Sequence, residues 1–137
     1  MRLADAYAEC ERLAEKGDQG LVVYGDFHPG VIGIIASRVV EQYHRPVFIM
    51  TDDSSEANRV KGSGRSVEGV NLYEVLEACA DTIIQFGGHR MAAGLTVTRE
   101  NLPIFAQRFN EVISRKMTDR KVERELIVDG CPQPEEI

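Results

Sequence analysis

The sequence has no tryptophan, three histidines and three cysteines among 137 residues, and its aromatic share is 7%. Without clustered Trp or Tyr there is no platform on which successive bases could stack, so any nucleic-acid contact should show weak sequence preference. Cys10, Cys79 and Cys131 are far apart and form no CxxC pair. That excludes a disulfide framework and a zinc ribbon and fits a reducing compartment, the cytoplasm. His28, His44 and His89 are equally scattered, and no HExxH or DxD cluster occurs, so no metal site is expected in this chain. No apolar run approaches the ~20 residues of a membrane span. No basic segment followed by an apolar stretch opens the chain as a secretory signal would. Bases number 16 against 22 acids, for a net charge of −6. Broad attraction to nucleic acid is thereby excluded, and a polyanion would have to be held by a local site.

What is present is an ordinary globular composition, 43% apolar and 28% charged, at the length of one domain. Apolar residues at helical spacing predict a helix over Arg2–Lys16, stopped by Gly17. Leu21–Gly25 reads as a short strand. A helix then runs to about Tyr43, with Ile32, Ile35, Ala36, Val39, Val40 and Tyr43 on its buried stripe and Pro29 suited to its first position. Pro46 precedes a second strand, Val47–Thr51. Strand, helix and strand with short connections make a βαβ unit, so these strands should be parallel. Arg59–Val67 reads as a third strand broken by glycines. Asn71 should cap a helix with Glu74 as its partner three residues on, and Leu72, Val75, Leu76, Cys79 and Ala80 should form the inner face. Ile83–Gly94 reads as irregular with a helical turn at Arg90–Ala93, Leu95–Thr98 as a strand, Glu100–Lys116 as a long helix and Glu125–Val128 as a final strand. The fold class is therefore α/β, a mixed β-sheet with helices on both faces, in a single domain. A helix at residue 2 and a tail that closes no element lead us to expect a piece of a longer protein.

The charge is uneven. Asn58–Ser66 holds Arg59, Lys61 and Arg65 and no acid, whereas the segment from Asp119 onward is acidic. In Lys61-Gly62-Ser63-Gly64-Arg65-Ser66 two glycines would let backbone N–H groups turn toward one anion. Ser63 and Ser66 add hydroxyls, Arg65 offers a planar fork for a phosphate and Lys61 a point charge. The spacing is neither a P-loop nor a GxGxxG fingerprint, and on composition alone a glycine turn with solvated charges is the plainer reading. In Phe86-Gly87-Gly88-His89-Arg90 a glycine pair precedes a histidine, an arrangement able to present N–H donors and His89 to an oxyanion; a tight loop with a surface histidine is the plainer reading. His28 stands before the N-terminus of the second helix, where it could donate to a ligand or act as the cap. Gly33 lies inside that helix at a cost of ~1 kcal/mol, a sign of close packing. Arg38 belongs to the polar face of the same helix. The acids Asp52 and Asp53 read as a solvated turn, and Cys10 and Cys79 as packing residues.

Taken in order, His28-Pro-Gly-Val-Ile-Gly-Ile-Ile-Ala-Ser-Arg38, Lys61-Gly-Ser-Gly-Arg-Ser66 and Phe86-Gly-Gly-His-Arg-Met-Ala-Ala-Gly94 resemble the DHH-associated domain of the RecJ family of single-stranded-DNA-specific exonucleases, over roughly Leu21–Met117. The resemblance implies a 5′ exonuclease in which a separate DHH domain holds two divalent metals, Mn2+ or Mg2+, while this domain grips the phosphates of single-stranded DNA. It implies phosphate contacts from Lys61, Ser63, Gly64, Arg65, Ser66, Gly87, Gly88 and His89, with His89 able to support the reaction. His28 and Arg38 are lesser candidates. It also implies a division into residues 1–17, the end of a helix connecting from the DHH domain, residues 18–120, the DHH-associated domain, and residues 121–137, a linker or strand toward a further domain. A chain without Asp-His-His ligands should be inactive alone and bind no metal. The alternatives are the equivalent domain of a DHH phosphoesterase acting on short oligonucleotides or cyclic dinucleotides, and a nucleotide-binding module without catalysis.

Overall fold

The computed structural model describes the backbone of residues 3–130 and side chains as far as Thr118. In chain order the elements are α1 (Leu3–Lys16), β1 (Leu21–Tyr24), α2 (Ile32–Tyr43), β2 (Val47–Asp52), β3 (Arg59–Arg65), α3 (Leu72–Ala78), a 3₁₀ turn (Ala80–Thr82), β4 (Gln85–Gly88), β5 (Ala92–Thr98) and α4 (Leu102–Gly130). The strands form one sheet in the order β1-β2-β3-β5-β4. β1 and β2 are parallel, as the βαβ pattern requires, and every other pairing is antiparallel.

Each face of the sheet carries its own core. On one face α1 and α2 cover Leu21, Val23, Val47 and Ile49. The α2 stripe is buried at Ile32, Ile35, Ala36 and Val39, while Val40 and Tyr43 are half-buried. Tyr43 Oη donates to the Tyr7 carbonyl at 3.0 Å and so ties α2 to α1. On the other face α3 and α4 cover Phe48, Met50, Val60, Leu95 and Val97. Phe48 meets Phe105 and Phe109 edge-on, with ring centroids at 5.7 and 5.3 Å. Such contacts contribute about 0.5–1.5 kcal/mol each beyond area burial. Asn71 caps α3 as expected, its Oδ1 accepting from Glu74 N–H at 3.2 Å. Asn110 of α4 accepts from the Gln19 and Gly20 N–H groups at 2.8 and 3.1 Å, fixing the entry to β1.

Three sequence expectations are corrected. Ile83–Gly94 is not irregular and holds no helical turn at Arg90–Ala93: β4 and the start of β5 form a hairpin closed by His89 N–H donating to the Ala92 carbonyl at 2.9 Å. The helix after His28 begins at Ile32, so Pro29 lies in the turn before it. Glu125–Val128 is not a strand, because α4 continues unbroken from Leu102 to Gly130, through the boundary expected at residue 121. Residues 131–137, with Cys131, lie outside the described residues. Among the described residues no helix is long and apolar enough to cross a membrane.

Candidate nucleic-acid interface

α1 covers β1 while α2 covers β2 and part of β3, and the same face of β5 and β4 is left bare. Alternation along the strands then decides which side chains reach that bare face. Lys61 pairs with Thr96, Ser63 with Gly94 and Arg65 with Ala92. Thr96 in turn pairs with Gln85 and Gly94 with Gly87. A cavity of about 480 Å³ opens over these strands, with Lys61, Ser63, Gln85, Gly87, Gly94 and Thr96 as its floor and Pro29 and Ile32 as its wall.

The basic, glycine-rich segment is therefore a strand, not a turn. β3 is paired on both sides, so its N–H groups serve the ladders rather than converging on an anion. Its glycines answer to the opposite core. A Cβ on Gly64 would stand 2.5 Å from Phe48 Cζ, and one on Gly62 would collide with Met50 Sδ. Glycine here makes room for Phe48 and Met50 of β2, and the alternate residues Lys61, Ser63 and Arg65 are thrown to the α2 side.

Arg65 is held in place on that side. Its Nη1 donates to the Gly64 carbonyl at 2.8 Å. Its Nη2 lies 3.1 Å from where a Cβ on Gly33 would stand, and Ser63 Oγ lies 3.7 Å from the same point. Ser63 and Arg65 thus meet at the first turn of α2, and the helix glycine admits them. A guanidinium has five N–H donors, so one internal bond leaves most of the fork free. Arg65 and Lys61 form no salt bridge among the described residues. Lys61 does help hold the Asp53 carboxyl below its usual range, after the larger effects of the Ser55 hydroxyl and backbone N–H.

The remaining candidates divide. Ser66 is buried and its hydroxyl donates to the Val70 carbonyl at 2.7 Å, which removes it from the group. Gly64 faces the Phe48 core, leaving only its carbonyl on Arg65. Gly87 lines the cavity. Gly88, at φ +140°, turns the hairpin, and a Cβ there would strike the Ala92 carbonyl at 2.5 Å. His89 is exposed at the hairpin tip, beyond Gly87, and its Nδ1 accepts from Met91 N–H at 3.3 Å. His28 is exposed beside the cavity wall, and its Nδ1 accepts from Gly30 N–H at 2.9 Å, so it shapes the turn rather than capping α2. Arg38 is exposed on α2 and has no hydrogen-bond or ion-pair partner among the described residues. Gln85, Thr96 and Gly94 were not apparent as site residues from the sequence. Only strand pairing brings them beside Lys61 and Ser63, although the alternations Gln85-x-Gly87 and Gly94-x-Thr96 were a usable signal.

With an ammonium, a hydroxyl and a partly free guanidinium on one side of the sheet, the chemistry of this face suits an anion. Among the described residues no three His, Cys, Asp or Glu side chains are grouped to hold a metal ion. Residues 17–115 match the DHHA1 domain model. The chain belongs to the DHHA1 domain family. Two relatives are named single-stranded-DNA-specific exonuclease RecJ. The Escherichia coli protein is 36% identical over 142 residues, covering 97% of this chain and 24% of that protein. The Bacillus subtilis protein is 40% identical over 112 residues, covering 80% of this chain and 14% of that protein. Thermus thermophilus RecJ in complex with Mg2+ superposes with a TM-score of 0.65 at 31% identity, over 82% of this chain and 18% of that one. The chain thus spans a quarter or less of the length of these relatives. The DHHA1 sheet with helices on both faces is shared with the Thermus protein, whose structure has also been solved with Mn2+.

Proposed function

We propose that this DHHA1 domain is the substrate-binding part of a RecJ-type single-stranded-DNA-specific 5′ exonuclease. Arg65 and Ser63 grip a DNA phosphate at the first turn of α2, Lys61 adds charge from the same strand, and Gly87, Gly88, His89 and His28 form the rim. The carrying observation is the placement of Arg65. Its guanidinium is anchored through Nη1 and rests against a helix glycine, with no acid paired to it among the described residues. A preorganised guanidinium loses little freedom on gripping a phosphate, and it stabilises charge that develops there. On this reading Mn2+ or Mg2+ is held by a DHH domain elsewhere in the longer protein. This chain's share is positioning. Residues 1–17 are then the end of the connection from that domain, 18–120 the binding unit, and 121–137 the way to a further part.

The test is hydrolysis of 5′-phosphorylated single-stranded DNA with Mn2+ by the full-length protein and by this chain. Nucleotide release by the full-length protein alone is expected. Release by the purified chain would overturn the division of labour. Release only from short oligonucleotides or cyclic dinucleotides would move the domain to another DHH phosphoesterase.

A further inference from the structure

The glycines of the sheet fall into two groups. Gly62, Gly64 and Gly88 are demanded by the protein itself, since a Cβ on each would collide with Met50, Phe48 and the Ala92 carbonyl respectively. Gly87 and Gly94 are not. A Cβ on Gly87 meets nothing within 4 Å, one on Gly94 meets only the Gly62 carbonyl at an ordinary 3.5 Å, and neither has a left-handed φ. Glycine in a strand interior gives up side-chain packing and costs backbone entropy. These two sit side by side in register on the bare face and form the floor of the cavity. Close approach of something outside the chain explains their bareness.

The neighbouring row in the cavity is polar across all three strands: Lys61, Thr96 and Gln85. Same-face residues along a strand are spaced about 6.6 Å apart. The Lys61 row therefore stands about one sugar-phosphate repeat of an extended nucleic-acid strand beyond Ser63, with the bare glycine row beside Ser63.

We infer that the face holds two consecutive phosphates of one strand, the first on Arg65 and Ser63 and the second on Lys61 and Thr96, with the intervening sugar lying on Gly94 and Gly87. This rests on the phosphate reading of Arg65 above. It makes a dinucleotide the smallest ligand that fills the site and gives Thr96 a role in binding.

The test is titration of the 137-residue chain, followed by NMR, with thymidine 5′-monophosphate and with the 5′-phosphorylated thymidine dinucleotide. The dinucleotide should bind about 10-fold more tightly, the effect of one further charge-assisted phosphate contact. Lys61→Ala and Thr96→Val should each cancel most of that gain, weakening the dinucleotide severalfold more than the mononucleotide. Gly94→Ala should weaken both ligands with an unchanged melting temperature, and Arg65→Ala should weaken both. Equal affinity for the two ligands, or equal losses for both on Lys61→Ala, overturns the second subsite, while a loss on Arg65→Ala keeps the phosphate reading. A melting temperature lowered by Gly94→Ala shows a structural glycine and overturns the sugar floor. No effect of Arg65→Ala, or no binding of either ligand at millimolar concentration, overturns both readings.

Discussion

Arg65 Nη2 rests 3.1 Å from the point where a Cβ on Gly33 would stand, so the first turn of α2 is bare where the guanidinium lies. The contact is with the far end of a flexible side chain, which can move. Gly33→Ala should therefore displace Arg65 rather than break the fold. Helix propensity favours Ala by about 1 kcal/mol, so the melting temperature should hold or rise while phosphate affinity falls severalfold. A melting temperature lowered by several degrees would show that Gly33 serves packing alone.

Gly64→Ala should behave in the opposite way. Its methyl would meet the Phe48 ring, itself wedged against Phe105 and Phe109. Overpacking of this kind costs roughly 1–3 kcal/mol. Gly87→Ala, with open space at its Cβ, should stay within about 0.5 kcal/mol of the parent. Urea denaturation of the two variants checks the contrast, and equal midpoints would contradict it.

The βαβ unit, the Asn71 cap, the α2 stripe and the inner face of α3 as far as Cys79 were legible because each rests on local periodicity or a cap visible within a few residues; Ala80, expected on that inner face, is instead exposed, because α3 ends at Ala78 and a 3₁₀ turn follows. The span of β3 was legible too, but the reason for its glycines was not. That reason is Phe48 and Met50 across the sheet, a non-local pairing. The β4–β5 hairpin was hidden because Arg90-Met91-Ala92-Ala93 has helix-forming residues, whereas its strand state is set by pairing of Ala92 and Ala93 with Arg65 and Gly64. Glu125–Val128 was misread because a short run with β-branched residues cannot be told from a helix segment by pattern alone. Of the proposed site, Arg65, Ser63 and Lys61 were visible as a basic stretch without acids, and Thr96 and Gln85 were not.

Ser66 belongs to the scaffold. Its hydroxyl is buried and donates to Val70 O at 2.7 Å. Ser66→Ala should cost roughly 1–3 kcal/mol of stability by leaving that carbonyl unpaired, with ligand affinity unchanged. A loss of phosphate affinity at full stability would return Ser66 to the site.

Burial pushes the Cys10 thiol up to about 12 and the Cys79 thiol up to about 11, from an ordinary 9.0. The folded state thus favours the neutral thiols. Their contribution is complete below pH 9, where the unfolded thiols are also protonated, and is lost as pH rises toward 11 and 12. Stability should fall across that window by up to about 1.4 kcal/mol per pH unit for each thiol. Cys10→Ala should reduce the slope in urea titrations between pH 8 and 11. An identical slope in the variant, or rapid alkylation of the native protein at pH 8, would contradict this.

The most direct measurement is kcat/KM on 5′-phosphorylated single-stranded DNA for Arg65→Ala, Arg65→Lys and Arg59→Ala in the full-length protein, with folding checked by melting. Neither arginine lines the cavity, but Arg65 lies against Gly33 at the first turn of α2, next to Ser63, whereas Arg59 shares the same face of β3 at the opposite end of the strand, paired with Thr98. Loss of a charge-assisted contact at the reacting phosphate costs about 2–4 kcal/mol, or ~30- to 1000-fold in rate. Loss of the Arg59 charge should cost under ~1 kcal/mol. Arg65→Lys should rescue only in part, since it keeps the charge without the planar fork. A folded Arg65→Ala protein with near-normal turnover, or one no worse than Arg59→Ala, would contradict the assignment of Arg65 as the phosphate grip.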